Sequence, residues 1–209
     1  MGKLLLATRS KDKVREIREI LAAGAEILSL DEAHLSWSEA EERLEEHGTF
    51  LANARSKADY FAKLSGLPTV ADDSGLEVVS LGGAPGALSK RFAPESSRLS
   101  GTELDAANNA ELLRRLLGAD VSRRRVSYVC VAVLIRKVGA VPEAFTGRCW
   151  GHILDAPKGA NGFGYDPLFF HDGLGKTFGE ASAEEKHGVS HRGAAFRELA
   201  AALAAEPLR

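Results

Sequence analysis

Two adjacent aspartates are the strongest candidates for chemistry in this sequence. Asp72 and Asp73 follow the apolar run 68–71 and precede Ser74 and Gly75. Carboxylates at the carboxyl end of a core strand are well placed to hold magnesium and to orient water. Adjacent side chains of a strand point to opposite faces, so we expect one aspartate to face the site and the other to brace it. The structural alternative is an acidic turn of the Asx type that closes a hairpin.

A polar stripe on a helix is the second candidate. Thr49, Asn53 and Lys57 are spaced four residues apart in a stretch predicted to be helical from residue 49 to about 64, so they share one face. Asn is a poor helix former, and its position inside the helix favours a function. The alternative is a face that only contacts solvent.

A strand-to-helix turn near the N-terminus is the third candidate. Free backbone N–H groups at a helix start, together with a lysine, make an anion site. The segment consists of Thr8, Arg9, Ser10, Lys11, Asp12 and Lys13. It lacks GxxxxGK[ST] and is therefore not a P-loop. The alternative is an ordinary capped helix start.

A glycine-rich loop over residues 157–167 is the fourth candidate. Gly162 and Gly164 flank Phe163, so backbone can approach a ligand while the ring stacks on a flat base. Tyr165 and Asp166 follow. The order is not GxGxxG, so a dinucleotide fold is not indicated. The alternative is a tight loop in which Phe163 fills the core.

Cationic and hydrogen-bonding residues near the C-terminus form the fifth candidate. Lys186 precedes Ser190, His191 and Arg192, and Ser190 is expected to cap the last helix. Donors at a helix start suit a triphosphate or a purine oxygen. The alternative is a helix start with two exposed cationic residues and no function.

The elements that position these residues alternate between strands and helices. The class is therefore α/β with a mixed sheet, in one domain over residues 1–209 with no linker. Strands are expected at 4–7, 26–30, 68–71, 76–79, 125–136 and 143–154, the last two as an antiparallel pair. Helices are expected from about 14 to 21, 49 to 64, 102 to 117 and 191 to 205, with a short one after the capping box Ser182–Glu185.

Composition narrows the functional classes. Lys plus Arg number 27 and Asp plus Glu 29, which gives a net charge of −2 and no general attraction to nucleic acid or anionic membranes. No run approaches the roughly 20 apolar residues of a membrane span, and we expect a cytoplasmic protein. Cys130 and Cys149 form no CxxC pair and are expected to be buried, reduced thiols.

Taken together, the five candidates resemble the inosine triphosphate pyrophosphatase family of nonstandard purine nucleoside triphosphate pyrophosphatases. The resemblance runs from residue 5 to about 199. It is carried, in the family's order, by residues 7–13, by Thr49-Phe50 with Asn53, Ala54 and Lys57, and by 71–76, 82–86, 162–167 and 190–193. It implies an elongated two-lobed fold around a long twisted mixed sheet, a magnesium-dependent homodimer, and hydrolysis of ITP, dITP and XTP to the monophosphate and pyrophosphate.

The resemblance also implies roles for single residues. Asp73 matches the general base and a metal ligand, and Ser74 matches a substrate contact. Residues 8–13 match the phosphate loop. The matches to base and phosphate contacts are Phe163, Gly164, Tyr165, Asp166, Lys186, His191 and Arg192, with Asn53 and Lys57 on the central helix. Asp72 is expected to be a brace or a secondary ligand.

Two positions depart from the family pattern. Ser10 stands where the family has Asn, which keeps a hydrogen-bonding oxygen and loses an amide donor. The stretch that carries the family's acidic metal ligand is one residue shorter here. It is Glu45-Glu46-His47-Gly48, and we assign the ligand to Glu45 with Glu46 as the alternate.

Two other functions compete with purine triphosphate hydrolysis. One is a Maf-like pyrophosphatase that acts on dTTP or UTP, which a preference for pyrimidines would reveal. The other is a sensor or binding module for purine nucleotides, which would bind tightly without releasing pyrophosphate.

Overall fold

The computed structural model describes residues 2–21 and 25–208. Its strands are β1 (Lys3–Leu6), β2 (Glu26–Ser29), β3 (Thr69–Val78), β4 (Arg125–Ile135), β5 (Glu143–Ile153), β6 (Phe169–His171) and β7 (Lys176–Thr177). Its α-helices are α1 (Lys11–Ile20), α2 (Phe50–Ser65), α3 (Gly101–Arg115), α4 (Ala183–Val189) and α5 (His191–Ala205). Short 3₁₀ helices span Glu39–Glu45, Val79–Leu81, Gly86–Arg91, Ser96–Arg98 and Val121–Arg124.

The strands form one mixed sheet in the order β2-β1-β3-β4-β5-β6-β7. β1 pairs in parallel with β2 and with β3, in registers that join Leu4 to Ile27 and Leu6 to Val70. β6 pairs antiparallel with both β5 and β7. The predicted α/β class with a mixed sheet is confirmed, and β4 lies next to β5 as expected.

The described chain divides into two compact units. Unit 1 contains residues 2–21, 25–74, 130–147 and 191–208, and unit 2 contains residues 75–129 and 148–190. The chain passes from one unit to the other within β3, within β4, within β5 and between α4 and α5.

The core of unit 1 forms around β1. Leu4, Leu5 and Leu6 are fully buried, as is usual in a parallel strand, because helices cover both faces of such a sheet. The apolar cluster packed on this strand comprises Leu4, Leu6, Ile17, Leu21, Val70, Cys130, Ala132, Leu134, Ala195, Phe196, Leu199 and Leu203. α1 and α5 contribute their apolar stripes to this cluster, so both helices pack against the sheet that includes β3, the strand with Asp72 and Asp73.

The core of unit 2 is rich in aromatic side chains. It comprises Leu76, Val78, Phe92, Leu112, Leu116, Val126, Tyr128, Cys149, Ile153, Tyr165, Leu168, Phe169 and Phe178. Tyr128, Phe169 and Phe178 contact one another with ring centroids 4.8 to 6.3 Å apart. Cys130 and Cys149 are both buried, as predicted.

Capping residues set where the helices of the site begin. The Ser10 side chain accepts a hydrogen bond from Lys13 N, and the Thr49 side chain accepts one from Ala52 N. α2 ends at Gly66, which has a φ of +71° and so adopts the left-handed conformation typical of a C-terminal glycine. The predicted capping box of Ser182 with Glu185 is also present.

The acidic turn proposed at residues 72–75 is wrong, because these residues lie inside the continuous strand β3. The expected strands 68–71 and 76–79 are therefore parts of one strand. Gly75 lies where a side chain would not fit, since a Cβ there would sit 2.1 Å from Ser89 Oγ. Aspartate, serine and glycine normally favour turns, and here tertiary contacts override that preference.

The remaining differences are small. α3 spans Gly101–Arg115 where 102–117 was expected, and β2 ends at Ser29. The acid-rich segment 37–48 contains a 3₁₀ helix, Glu39–Glu45. The short strands β6 and β7 were not predicted, because three and two residues are too few to show a period. No helix in residues 2–21 and 25–208 has the length and apolar character needed to span a bilayer.

Candidate active site

The two aspartates of β3 contact different helices. The Asp72 carboxylate lies 2.9 Å from Lys13 Nζ of α1 and 3.7 Å from Arg192 Nη2 of α5. Asp73 instead accepts a hydrogen bond of 2.8 Å from Asn53 Nδ2 of α2, and Lys57 Nζ lies 3.9 Å from its other oxygen. This is the alternation expected of neighbouring residues in a strand.

Two of the three residues of the polar stripe, Asn53 and Lys57, are buried, so the interpretation of the stripe as a solvent face is wrong. Asn53 is fully buried and Lys57 is 7% exposed. Lys57 Nζ donates to the backbone oxygen of Asp72 at 2.6 Å and pairs with Glu45 Oε1 at 2.6 Å. Thr49, the third residue of the stripe, serves as the N-cap. Lys57 therefore connects β3 with the 3₁₀ helix Glu39–Glu45.

The surroundings shift the pKa values of the two aspartates in opposite directions. Burial raises the pKa of Asp73 above its ordinary value, and Lys57 and Lys13 offset this only in part. Burial also opposes ionisation of Asp72, but Lys13 and Arg192 outweigh it and hold the pKa of Asp72 below its ordinary value. Asp73 is thus the better proton acceptor near neutral pH, and Asp72 stays a fixed negative charge.

A second buried ion pair fixes Arg192. Its Nη1 donates to Glu16 Oε2 at 2.5 Å, and its Nη2 donates to Ser74 Oγ at 2.9 Å. Both Glu16 and Arg192 are buried, which excludes the alternative of an exposed cationic helix start, and His191 is buried beside it. Glu16 was not among the sequence candidates. The available signal was its spacing of three residues from Lys13, on the side of α1 that carries Ile17.

The residues of the predicted phosphate loop have different surroundings. Ser10 N donates to Thr8 Oγ1 at 3.2 Å, and Lys13 reaches Asp72. Lys11 is exposed at the first position of α1, and Asp12 pairs with Arg15. A cavity of about 120 Å³ lies beside this loop, lined by Thr8, Arg9, Lys11, Val14, Ser29, Leu30 and Asp31.

Arg9 holds neighbouring chain rather than projecting freely from the loop. Its Nε and Nη2 donate to the two carboxylate oxygens of Glu41 at 3.0 and 2.7 Å, and its Nη1 donates to Leu35 O at 2.8 Å. A bidentate arginine–carboxylate pair is a specific, directional contact. Contact between Arg9 and substrate, as the family resemblance implies, would require these hydrogen bonds to be exchanged.

In unit 2, Asp166 organises the glycine-rich loop. Its Oδ2 accepts from Phe163 N at 2.8 Å and from Lys186 Nζ at 2.6 Å. The Lys186 ammonium also lies 5.0 Å from the Phe163 ring centroid, within the range of a cation–π contact. Gly162 has a φ of +72°, and a Cβ there would lie 2.0 Å from Asp166 Oδ2.

Tyr165 has a structural contact that the sequence did not indicate. Its side chain is 4% exposed and belongs to the core of unit 2. Its hydroxyl donates to Ser89 O at 2.7 Å. What Tyr165 can offer a ligand is therefore its backbone, while Phe163 is only partly buried.

The arrangement in unit 1 suits a divalent cation. Asp73 and Glu45 both approach the Lys57 ammonium, at 3.9 and 2.6 Å. Residues 2–21 and 25–208 contain no group of three or more His, Cys, Asp or Glu side chains able to hold a metal. Magnesium, however, is commonly bound by one or two carboxylates together with substrate phosphates. Glu46 is exposed, which leaves Glu45 as the better placed of the two glutamates.

Comparison with known proteins identifies the family. The model of the Ham1 family matches residues 4–202. The chain belongs to the Ham1 family. Relatives within it include a dITP/XTP pyrophosphatase of Aromatoleum aromaticum, 46% identical over 208 residues that cover 99% of both chains. A dITP/XTP pyrophosphatase of Thermus thermophilus is 45% identical over 198 residues, 94% of this chain and 89% of that relative.

A solved structure agrees with the fold of this Ham1-family chain. The HAM1 protein from Coxiella burnetii superposes with a TM-score of 0.83 at 35% identity, over 98% of this chain and all of that one. The resemblance inferred from the sequence motifs is thereby confirmed at the level of family and fold.

Replacing Asp72 tests the buried charge network of this Ham1-family chain. Asp72→Asn leaves Lys13 and Arg192 without their shared counter-charge, and we expect the free energy of unfolding to fall by about 3 kcal/mol. Asp59→Asn is the control, because Asp59 pairs with Arg55 at the surface, and it should cost less than about 0.5 kcal/mol. Urea denaturation measures both, and equal small losses would contradict the role of Asp72.

The effect of Asp72→Asn should also depend on pH. The folded pKa of Asp72 is lowered, so the stability it contributes is present above the unfolded value of about 3.9 and is lost as pH falls. The difference between wild type and Asp72→Asn should therefore begin to narrow below about pH 4.

Proposed function

We propose that this chain hydrolyses ITP, dITP and XTP between the α and β phosphates, releasing the nucleoside monophosphate and pyrophosphate. The observation that carries the proposal is Asp73, a buried carboxylate of raised pKa that Asn53 orients beside Lys57. Membership of the Ham1 family and the dITP/XTP pyrophosphatases among its relatives support the same reaction. The activity clears nonstandard purines from the nucleotide pool.

In this mechanism Asp73 accepts the proton of the attacking water. Its raised pKa suits a general base, and the hydrogen bond from Asn53 leaves the second carboxylate oxygen directed toward the side of Lys57. Lys57 and Lys13 supply positive charge for the phosphates. A magnesium ion held by Asp73 and Glu45 would neutralise charge that develops on the phosphates.

The charge balance of the cluster supports a requirement for a cation. Four carboxylates and three basic side chains meet in unit 1, namely Glu16, Glu45, Asp72, Asp73, Lys13, Lys57 and Arg192. When all are ionised, the cluster carries a net negative charge and would repel a triphosphate. A divalent cation reverses that sign, so substrate and metal are expected to bind together.

Base recognition is assigned to two groups of residues. Phe163, with the backbone of Gly164 and Tyr165, is proposed to contact the flat face of the purine, beside Lys186. Arg192 is proposed to donate to the purine O6, where adenine presents an amine donor instead, so ATP should be rejected. His191 and Ser74 complete the proposed substrate contacts.

The proposal also covers the domain organisation, oligomeric state, location and partners of the protein. The family model covers residues 4–202, which supports one functional domain over residues 1–209. We also propose a homodimer, as the resemblance to inosine triphosphate pyrophosphatases implies, and a cytoplasmic location, as expected from the sequence. No nucleic-acid partner is proposed, because the net charge is −2.

Initial rates on a panel of triphosphates test the reaction. With magnesium present, we expect kcat/KM for ITP, dITP and XTP to exceed that for ATP by at least about 100-fold, because the adenine amine cannot accept from Arg192. Pyrophosphate should be the product, which a phosphatase would not release. A preference for dTTP or UTP, or tight binding of ITP without turnover, would overturn the proposal.

Replacing the proposed base is the second test. Asp73→Asn keeps an oxygen that can accept from Asn53 but cannot take a proton, so kcat on ITP should fall by at least about 100-fold while the protein stays folded. Asp59→Asn provides the matched control and should retain wild-type turnover. Near-wild-type turnover in Asp73→Asn would remove Asp73 from the mechanism.

Adjacent glutamates allow a paired test of the metal site. Glu45→Gln should weaken the binding of magnesium by at least about tenfold, because the pair with Asp73 would be lost. Glu46→Gln should change it by less than twofold, since Glu46 is exposed. The dependence of the initial rate on ITP upon magnesium concentration measures both apparent affinities, and the reverse order would move the ligand to Glu46.

A further inference from the structure

Two side chains of α3 form hydrogen bonds with a single residue of the glycine-rich loop. Asp105 Oδ2 accepts from Gly164 N at 2.7 Å, and Asn109 Nδ2 donates to Gly164 O at 3.0 Å. Asp105 and Asn109 are four residues apart and therefore share one face of α3. Both backbone polar groups of Gly164 are bonded by these side chains, which come from more than 50 residues earlier in the chain.

The same loop is also fixed on the other side of Phe163. Phe163 N donates to Asp166 Oδ2, which Lys186 holds in turn. Gly162 and Gly164 both have left-handed φ angles, of +72° and +63°. The backbone on either side of the Phe163 ring is therefore held by side-chain hydrogen bonds and not by a helix or a strand ladder.

Phe163 is more exposed than two of the residues that follow it in the loop. Phe163 is only partly buried, whereas Tyr165 and Asp166 beside it are buried. A partly exposed ring on a rigid loop is typical of a binding surface that is ordered before the ligand arrives, because less conformational freedom is then lost on binding.

We propose that Asp105 and Asn109 are positioning residues for base recognition. By holding Gly164 they set the orientation of the Phe163 ring, and they thereby determine affinity for ligands that carry a purine. They contribute little to bond cleavage. This inference rests on the proposed contact of Phe163 with the base.

The neighbouring residue Asn108 supplies a matched control. Asn108 is a buried asparagine of α3 that, like Asn109, binds backbone: its Oδ1 accepts from Phe92 N and Ala93 N at 3.0 and 2.8 Å. The segment that it holds has no proposed contact with substrate. Asn108→Leu should therefore lower the melting temperature without changing ligand affinity.

The test compares two products as ligands, one with a base and one without. In Asn109→Leu and in Asp105→Ala, calorimetric Kd values for IMP and KM for ITP should both rise about five- to tenfold, the effect of one lost hydrogen bond and a looser loop. The Kd for pyrophosphate and kcat should change by less than twofold. Asp105→Asn keeps an oxygen that can accept from Gly164 N and should recover most of the affinity.

Specific outcomes would overturn the inference. It fails if IMP and pyrophosphate weaken equally, if IMP binding is unchanged while hydrogen exchange shows that the Gly164 amide has become unprotected, or if Asn108→Leu weakens IMP as strongly as Asn109→Leu. Wild-type turnover of ITP tests the proposed function separately, because the IMP and pyrophosphate affinities are measured without turnover.

Discussion

The buried carboxylate of Asp72 is the interaction on which the unit 1 site depends. Asp72 lies inside β3 and is fully buried. Its carboxylate pairs with Lys13 of α1 and Arg192 of α5. A buried charge is tolerated only when it is paired, and here each partner is also buried or nearly so. Asp72 therefore helps to hold Lys13 and Arg192 in place. Glu16 supplies the second counter-charge of Arg192.

On the opposite face of β3, the charge of Asp73 is compensated to a different extent. Asp73 has one orienting amide and one ammonium at 3.9 Å, which leaves its charge less fully compensated than that of Asp72. The same Lys57 binds Glu45 and the backbone of Asp72, so one cation links the proposed catalytic carboxylate, the proposed metal ligand and the strand. Two residues of one chemical type thus lie in environments of different charge, because the strand directs them to opposite faces.

Much of this could be predicted from the sequence, and the rest depended on tertiary contacts. Periodicity and caps located α2, α4 and α5, and the alternation rule separated Asp72 from Asp73. The turn chemistry of Asp-Asp-Ser-Gly was misleading, because that segment is part of β3, which lies between β1 and β4 in the sheet. Other contacts join residues that are 26 to 59 positions apart, and no local pattern reveals them. They include the hydrogen bonds of Arg9 and those of Asp105 and Asn109 with Gly164.

The adjacency of Asp72 and Asp73 within β3 makes the site sensitive to insertions and deletions. Since side chains alternate with a period of two, removing one residue just before Val70 while the strand keeps its pairing would move each later residue of β3 to the opposite face. Asp73 would then lie against Lys13 and Arg192 and lose its basicity, and Val70 would turn away from its apolar cluster. Point substitutions can change one partner at a time, whereas a shift of one residue here would remove the chemistry and the core contact together.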